Sequence, residues 1–236
     1  MSVDSLAEKL KKLAWGEISE EEALDEVKDA SPIEISEAEQ KLLDEGMSQD
    51  RLQEFCKIHL KAVQEKVDKL KEDLEPGHPI KTLIMEHDEI LKSLEQLESI
   101  RDEIKEDMSA DVQEKLIHHA EHLVEAEKHH TREEDAIFPR MEKLGITGPT
   151  RIMKREHENM WPKKKRLLEL AKDPEGHEVE IMKLIDYLVF NLRDHIFKEN
   201  NILYPSALNE LKDWDTIKNE CDEIGYCCFT PEKEGK

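Results

Sequence analysis

The sequence predicts an all-α protein: an antiparallel up-down four-helix bundle, with a small N-terminal helical domain before it and an extra C-terminal helix after it. Three observations predict it. Charged residues fill 39% of the 236 positions and apolar ones 37%, with only 8 Gly and 9 Pro, a composition suited to long helices that each bury one stripe. Four long amphipathic stretches between positions 80 and 211 are separated by short breaks rich in Gly and Pro. The second and fourth of these stretches also repeat one another.

The elements follow in order. Ser19-x-x-Glu22 and Ser36-x-x-Glu39 read as capping boxes, and Gly16 and Gly46 as helix stops. Helices are therefore expected over 3–15, 19–30 and 36–45, with a longer one over 48–74. Pro76-Gly77-His78-Pro79 breaks any helix, so the expected domains are 1–75, 78–211 and 212–236. The bundle helices are expected over 80–108, 109–144, 148–173 and 178–211, and the extra helix over 213–224. The tail from Gly225 is expected to be loose. Pro139, Pro162 and Pro205 fall inside helices, where each should kink the rod or free a carbonyl.

Composition also removes classes of function. Lys and Arg total 35 against 57 Asp and Glu, a net charge of −22 that repels nucleic acid and anionic membrane. No run of 18 apolar residues exists for a membrane span, and the first residues lack the apolar core of a secretion signal. Four cysteines are too few for a disulfide scaffold, so a cytoplasmic location is expected. Lys163-Lys164-Lys165-Arg166 reads as a solvated helix face.

The chemistry sits in the repeat. His129-x3-Glu133-x3-Ile137-Phe138-Pro139 in the second long helix matches His195-x3-Glu199-x3-Leu203-Tyr204-Pro205 in the fourth. Glu86-His87 in the first matches Glu156-His157 in the third. Residues i and i+4 stand one above the other on a helix face, about 6 Å apart, so a His and a Glu so spaced can serve one metal pair. Counted from the helix ends, all four sets fall in one layer of the bundle. A lone histidine on such a face is ordinarily core or surface, and His-x3-Glu is ordinarily side-chain pairing. Six such residues in register point instead to a metal site of His87, His129, Glu133, His157, His195 and Glu199, with iron, manganese or zinc as the metal. His130 with Glu134 has the same spacing but breaks register with the fourth helix, and His130 is expected to leave the core. Glu86 and Glu156 are either acceptors for ligand histidines or, as expected here, parts of solvated faces. Phe138, Tyr204, Trp161 and Met85 read as core packing, and His122 stands too far along its helix to share the site.

At these residues the sequence resembles the hemerythrin-like, HHE cation-binding family over about 78–211. The resemblance implies a bundle holding two iron ions, with terminal ligands on His87, His129, His157 and His195 and bridging carboxylates on Glu133 and Glu199. Oxygen-carrying hemerythrins have a further His four positions after the third-helix one and an Asp five positions after the fourth-helix one; here Trp161 and Asn200 occupy those places. Four His with two Glu is closer to the iron–sulfur-cluster repair proteins. The expected function is a non-haem di-iron protein that binds or reduces dioxygen, peroxide or nitric oxide. The alternatives are cluster repair, and a metal or gas sensor or iron store that signals to a protein partner through residues 1–75.

Asp44-Glu-Gly-Met47, with Leu52-Gln-Glu-Phe55-Cys56-Lys-Ile-His59, resembles the uncharacterised helical domain often found ahead of hemerythrin-like domains. Cys56 and His59 share a helix face and, with Cys221, Cys227 or Cys228, could form a second metal or redox site; free thiols are the plainer expectation.

Overall fold

A computed structural model of the chain describes residues 3–15, 17–19, 38, 41–42, 45–47 and 67–229, and divides it into two units, Met1–Glu72 and Asp73–Lys236. In the first unit, α1 spans Val3–Ala14 and buries Leu6 and Leu10, one helical turn apart, with Ala7 beside them. Lys41 pairs with Asp4 and Lys11 with Glu45. The helix expected over 19–30, most of those over 36–45 and 48–74, and Cys56 with His59 lie outside the described residues.

The second unit is the bundle. Its first helix, α2 (Pro79–Glu106), starts on Pro at the first helical position, with the His78 side chain accepting the Ile80 N–H as cap. The second rod runs through α3 (Ala110–Glu125), α4 (Glu127–Arg132), a π-helical turn at Glu133–Ile137 and α5 (Phe138–Lys143). Ser109 caps it through the Val112 N–H. It ends in a Schellman motif, where Ile146 N–H reaches the Met141 carbonyl and Gly145 takes the left-handed φ of +86°. The third helix is α6 (Gly148–Lys172), continuous through Pro162. The fourth rod joins α7 (Glu178–Lys198), a π-helical turn at Glu199–Leu203 and α8 (Tyr204–Glu210). Each rod packs on two neighbours, in the ring first–second–third–fourth–first. No strand occurs among the described residues, and none of their helices is long and apolar enough to cross a membrane.

At one end of the bundle a leucine- and isoleucine-rich core fills the space: Ile90, Leu94, Leu97, Leu116, Leu167 and Leu188 are among its buried members. The extra helix, α9 (Trp214–Ile224), packs on α2, α4 and the first π-helical turn through Ile217 and Cys221. The tail corrects its expectation in part. Residues 225–229 are held, with Tyr226 over Arg132 and the Cys227 N–H on Glu86, because buried partners in α2 and α4 reach out to them.

Candidate metal centre

The two π-helical turns build the site. Each begins at a repeat glutamate, and each closes with an i→i−5 bond, from Phe138 N–H to the Glu133 carbonyl and from Tyr204 N–H to the Glu199 carbonyl. The wider turn brings the aromatic residue five positions on to the same face as its glutamate. Pro139 and Pro205, which have no N–H to give, follow directly. The kinks expected at these prolines thus take the form of π turns just ahead of them.

All six sequence-predicted residues are buried and face one another: His87 and His195 are 1% exposed, His157 3%, and His129, Glu133 and Glu199 0%. His87 Nε2 lies 3.1 Å from His129 Nε2, and His157 Nε2 lies 2.9 Å from His195 Nε2. Glu199 spans both pairs, with Oε2 3.0 Å from His87 Nε2 and Oε1 2.7 Å from His195 Nε2. Glu133 Oε2 stands 3.6 Å from His157 Nε2 and 3.9 Å from His129 Nε2. Two groups of donors result, His87/His129/Glu199 and Glu133/His157/His195/Glu199.

The other ring nitrogens fix the histidine tautomers. His129 Nδ1 donates to Glu86 at 2.9 Å and His195 Nδ1 to Glu156 at 2.8 Å. His157 Nδ1 donates to Glu134 at 2.6 Å and His87 Nδ1 to the Asn200 amide oxygen at 2.9 Å. The arrangement obeys the repeat: the residue before each inward His on the first and third helices, and the residue after each inward Glu on the second and fourth, holds a histidine of a neighbouring rod. With every Nδ1 proton committed outward, each imidazole, when neutral, turns an Nε2 lone pair inward.

Facing lone pairs repel unless a cation stands among them. Glu133 Oε2 and both Glu199 oxygens are buried without a hydrogen bond. Burial presses His195 down, but Glu199 and Glu156 outweigh it and hold the ring up at about 9. Burial, opposed by Glu86 and helped by His87, brings His129 down to about 4. Burial and the charge of Glu199 push Glu133 well up, while the histidines around Glu199 outweigh its burial and keep it ionised. Paired imidazoles with unpartnered carboxylates are a donor set that fits a metal ion.

Residues 78–207 match the family described as Hemerythrin HHE cation binding domain, more than half of the chain. The chain belongs to that family. It is a hemerythrin-like, metal-binding protein, with the His/Glu cluster at the centre of its bundle. Residues 6–69 match a family of unknown function (DUF438). No curated protein matches the chain.

Several expectations need correction. Glu86 and Glu156 are not on solvated faces: Glu86 is 0% exposed, because a helix in a ring has neighbours on two sides, and each glutamate meets the adjacent rod. Arg132, itself 1% exposed, bonds Glu86, and with His129 it overcomes burial to hold that carboxyl at about 2. His130 does not leave the core. It is 3% exposed and stacks on His157 with ring centroids 3.9 Å apart, within donor reach of His157 and His195. Glu134 bonds His157 and makes no pair with His130. Lys164 is 1% exposed, 3.5 Å from Glu127, because it lies two turns after His157 on the same inward face.

Sequence reasoning missed the role of Tyr204. Its hydroxyl donates to Glu133 Oε1 at 2.8 Å, and its ring stacks on His87. The available signal was its place as the aromatic of the repeat. Trp161, where the oxygen carriers have a histidine, lies against the Lys165 ammonium at the bundle periphery.

Proposed function

We propose that the bundle holds two iron ions and binds or reduces a small oxidant: dioxygen, peroxide or nitric oxide. His87 and His129 would hold one ion and His157 and His195 the other, with Glu199 and Glu133 supplying the carboxylates. The observation that carries this reading is the pair of Nε2–Nε2 approaches at 3.1 and 2.9 Å beside three unpartnered carboxylate oxygens. When bound, such ions supply open coordination positions and electrons for a small ligand.

The chain's own residues do the rest. Glu86, Glu156, Glu134 and Asn200 hold the imidazoles at fixed tautomer and angle, which raises their basicity. Phe138, Ile137 and Met160, all nearly solvent-free, keep bulk water out. The Tyr204 hydroxyl presents its proton to Glu133 Oε1, and burial with the charges of Glu133 and Glu199 keeps the phenol protonated. Two histidines per ion, with Trp161 and Asn200 outside the donor groups, also fit the ligand set of the cluster-repair proteins.

Elemental analysis with ultraviolet-visible spectra tests the proposal, before and after oxygen, peroxide and nitric oxide are added. Two iron per chain and a spectrum that changes with one of these ligands is the expected result. Protein that takes up no iron, manganese or zinc overturns it.

A further inference from the structure

Cys227 and Cys228 adjoin in sequence and take no part in the donor groups of the bundle centre. Their sulfurs lie 3.1 Å apart, and Cys228 Sγ is 3.0 Å from His122 Nε2. Both are half-buried, and Cys228 and His122 line a surface groove with Glu89, Ser93, His118 and His119. The segment is anchored at the start of the pair: the Cys227 N–H donates to Glu86 Oε1 at 3.3 Å, and the Tyr226 ring just before it covers the Arg132 guanidinium at 4.7 Å. An attacking sulfur, a base to take its proton, a second thiol and an opening to solvent are the components of reversible thiol oxidation.

We propose that Cys227, Cys228 and His122 form a redox site in which a small hydroperoxide oxidises the vicinal thiols to a disulfide. Cys228 attacks, because its sulfur is the one that meets both His122 and the groove. Its proton passes to His122 Nε2. The Cys228 sulfur then bonds to one peroxide oxygen as the O–O bond breaks, and the leaving oxygen takes the proton back from His122. The Cys227 sulfur attacks the resulting sulfenic acid: the S–S bond forms, the S–O bond breaks, and hydroxide leaves as water with the Cys227 proton. Two thiols give up two electrons and one peroxide accepts them.

The electrostatics agree with this geometry. The Cys227 thiol, opposed by burial and aided by His122, holds the Cys228 sulfur down at about 6, and Cys228 with burial pushes Cys227 far up. The pair is thus divided into a more acidic Cys228 and a less acidic Cys227. The site does not depend on the metal reading.

The test uses the full chain as purified, reduced, freed of reductant and treated with equimolar hydrogen peroxide. Alkylation and cleavage after Glu223 and Glu232 release residues 224–232, which contain Cys227 and Cys228 and no other cysteine. The peptide should appear unalkylated and two hydrogens lighter, and should take up both alkyl groups after dithiothreitol. Cys227→Ser should stop at a sulfenic acid on Cys228, captured by dimedone. His122→Gln should slow oxidation by at least about tenfold at neutral pH, with the deficit closing at high pH where solvent removes the proton. Circular dichroism checks that each variant is folded. The proposal is overturned if both cysteines remain alkylated, if the disulfide runs to Cys56 or Cys221, or if the sulfenic acid forms on Cys227. A chain that binds no metal yet oxidises in this way refutes the metal proposal alone.

Discussion

The two halves of the metal centre share a pattern and differ in what surrounds it. In one half His87 and His129 are held by Asn200 and Glu86, and Tyr204 lies on His87. In the other His157 and His195 are held by Glu134 and Glu156, and the aromatic is Phe138, stacked on His157 with His130 on that ring as well. The first half is sealed on its Glu86 side, with the Glu86 side chain 0% exposed and Arg132 1%, while Asn200 is half-buried; in the second, Glu156 is 21% and Glu134 36% exposed. A repeat can copy ligand geometry while leaving the partners free to diverge. The two positions should then differ in affinity and in access to solvent.

The largest effect should come from the residue both halves share. Glu199→Leu should weaken metal binding at both positions by more than about a hundredfold, since losing an outer partner alone costs about 10- to 100-fold. Glu133 belongs to one donor group only, so Glu133→Leu should leave one metal bound per chain. Metal titration with elemental analysis reads both variants. Loss of both metals from Glu133→Leu would show that the carboxylates bridge equally and that the halves are coupled.

Next in size is the difference between the sealed and the open half. Glu86→Ala strands the buried Arg132 guanidinium and should destabilise the metal-free protein by about 3–5 kcal/mol. In Glu156→Ala, Lys198 keeps Asp194 and some water, so the loss should be about 1 kcal/mol. Urea denaturation midpoints decide between them. Equal losses would remove the distinction between the halves.

The buried His/Glu cluster was legible because it repeats in register, and register survives errors in helix ends. Its supports were not. Glu86 and Glu156 sit about 100° around their helices from the inward histidine, a direction that meets water on an isolated helix and another rod inside a ring. His130 and Lys164 were misread for the same reason: each was judged by its rotation or its charged neighbours, while the packing of second rod on third buries both. The prolines signalled a disturbed helix, but not that a π turn would carry Tyr204 and Phe138 onto the ligand face. Cys227 and Cys228 gave no periodic signal, because residues 225–229 lie beyond the last helix.

Tyr204→Phe makes the two halves alike in their aromatic. It removes the Tyr204 donor to Glu133 Oε1 and, among the described residues, leaves that oxygen buried without a partner, as Oε2 already is. The metal-free protein should lose about 1–3 kcal/mol of stability. The metal-loaded protein should lose less, because a bound cation satisfies the same carboxylate. A double-mutant cycle with Glu133→Gln, measured in urea, isolates the hydroxyl–carboxylate interaction; an interaction energy of zero would reduce Tyr204 to packing.

The smallest effect links the sealed half to the tail. Glu86 Oε2 serves His129 and Arg132, and Glu86 Oε1 accepts the Cys227 N–H. Closing Cys227 and Cys228 into a disulfide reorients that peptide and weakens one bond to the carboxylate, with the bonds that orient His129 left in place. Since losing an outer partner altogether costs about 10- to 100-fold, loss of one bond to that partner should speed metal release less than about tenfold. The change should fall on the His87/His129 position alone, because among the described residues the tail bonds Glu86, while Glu156 bonds His195 and Lys198. Chelator-driven release from oxidised and reduced protein would then show one faster phase and one unchanged phase. Two equally changed phases would mean that the halves respond as one.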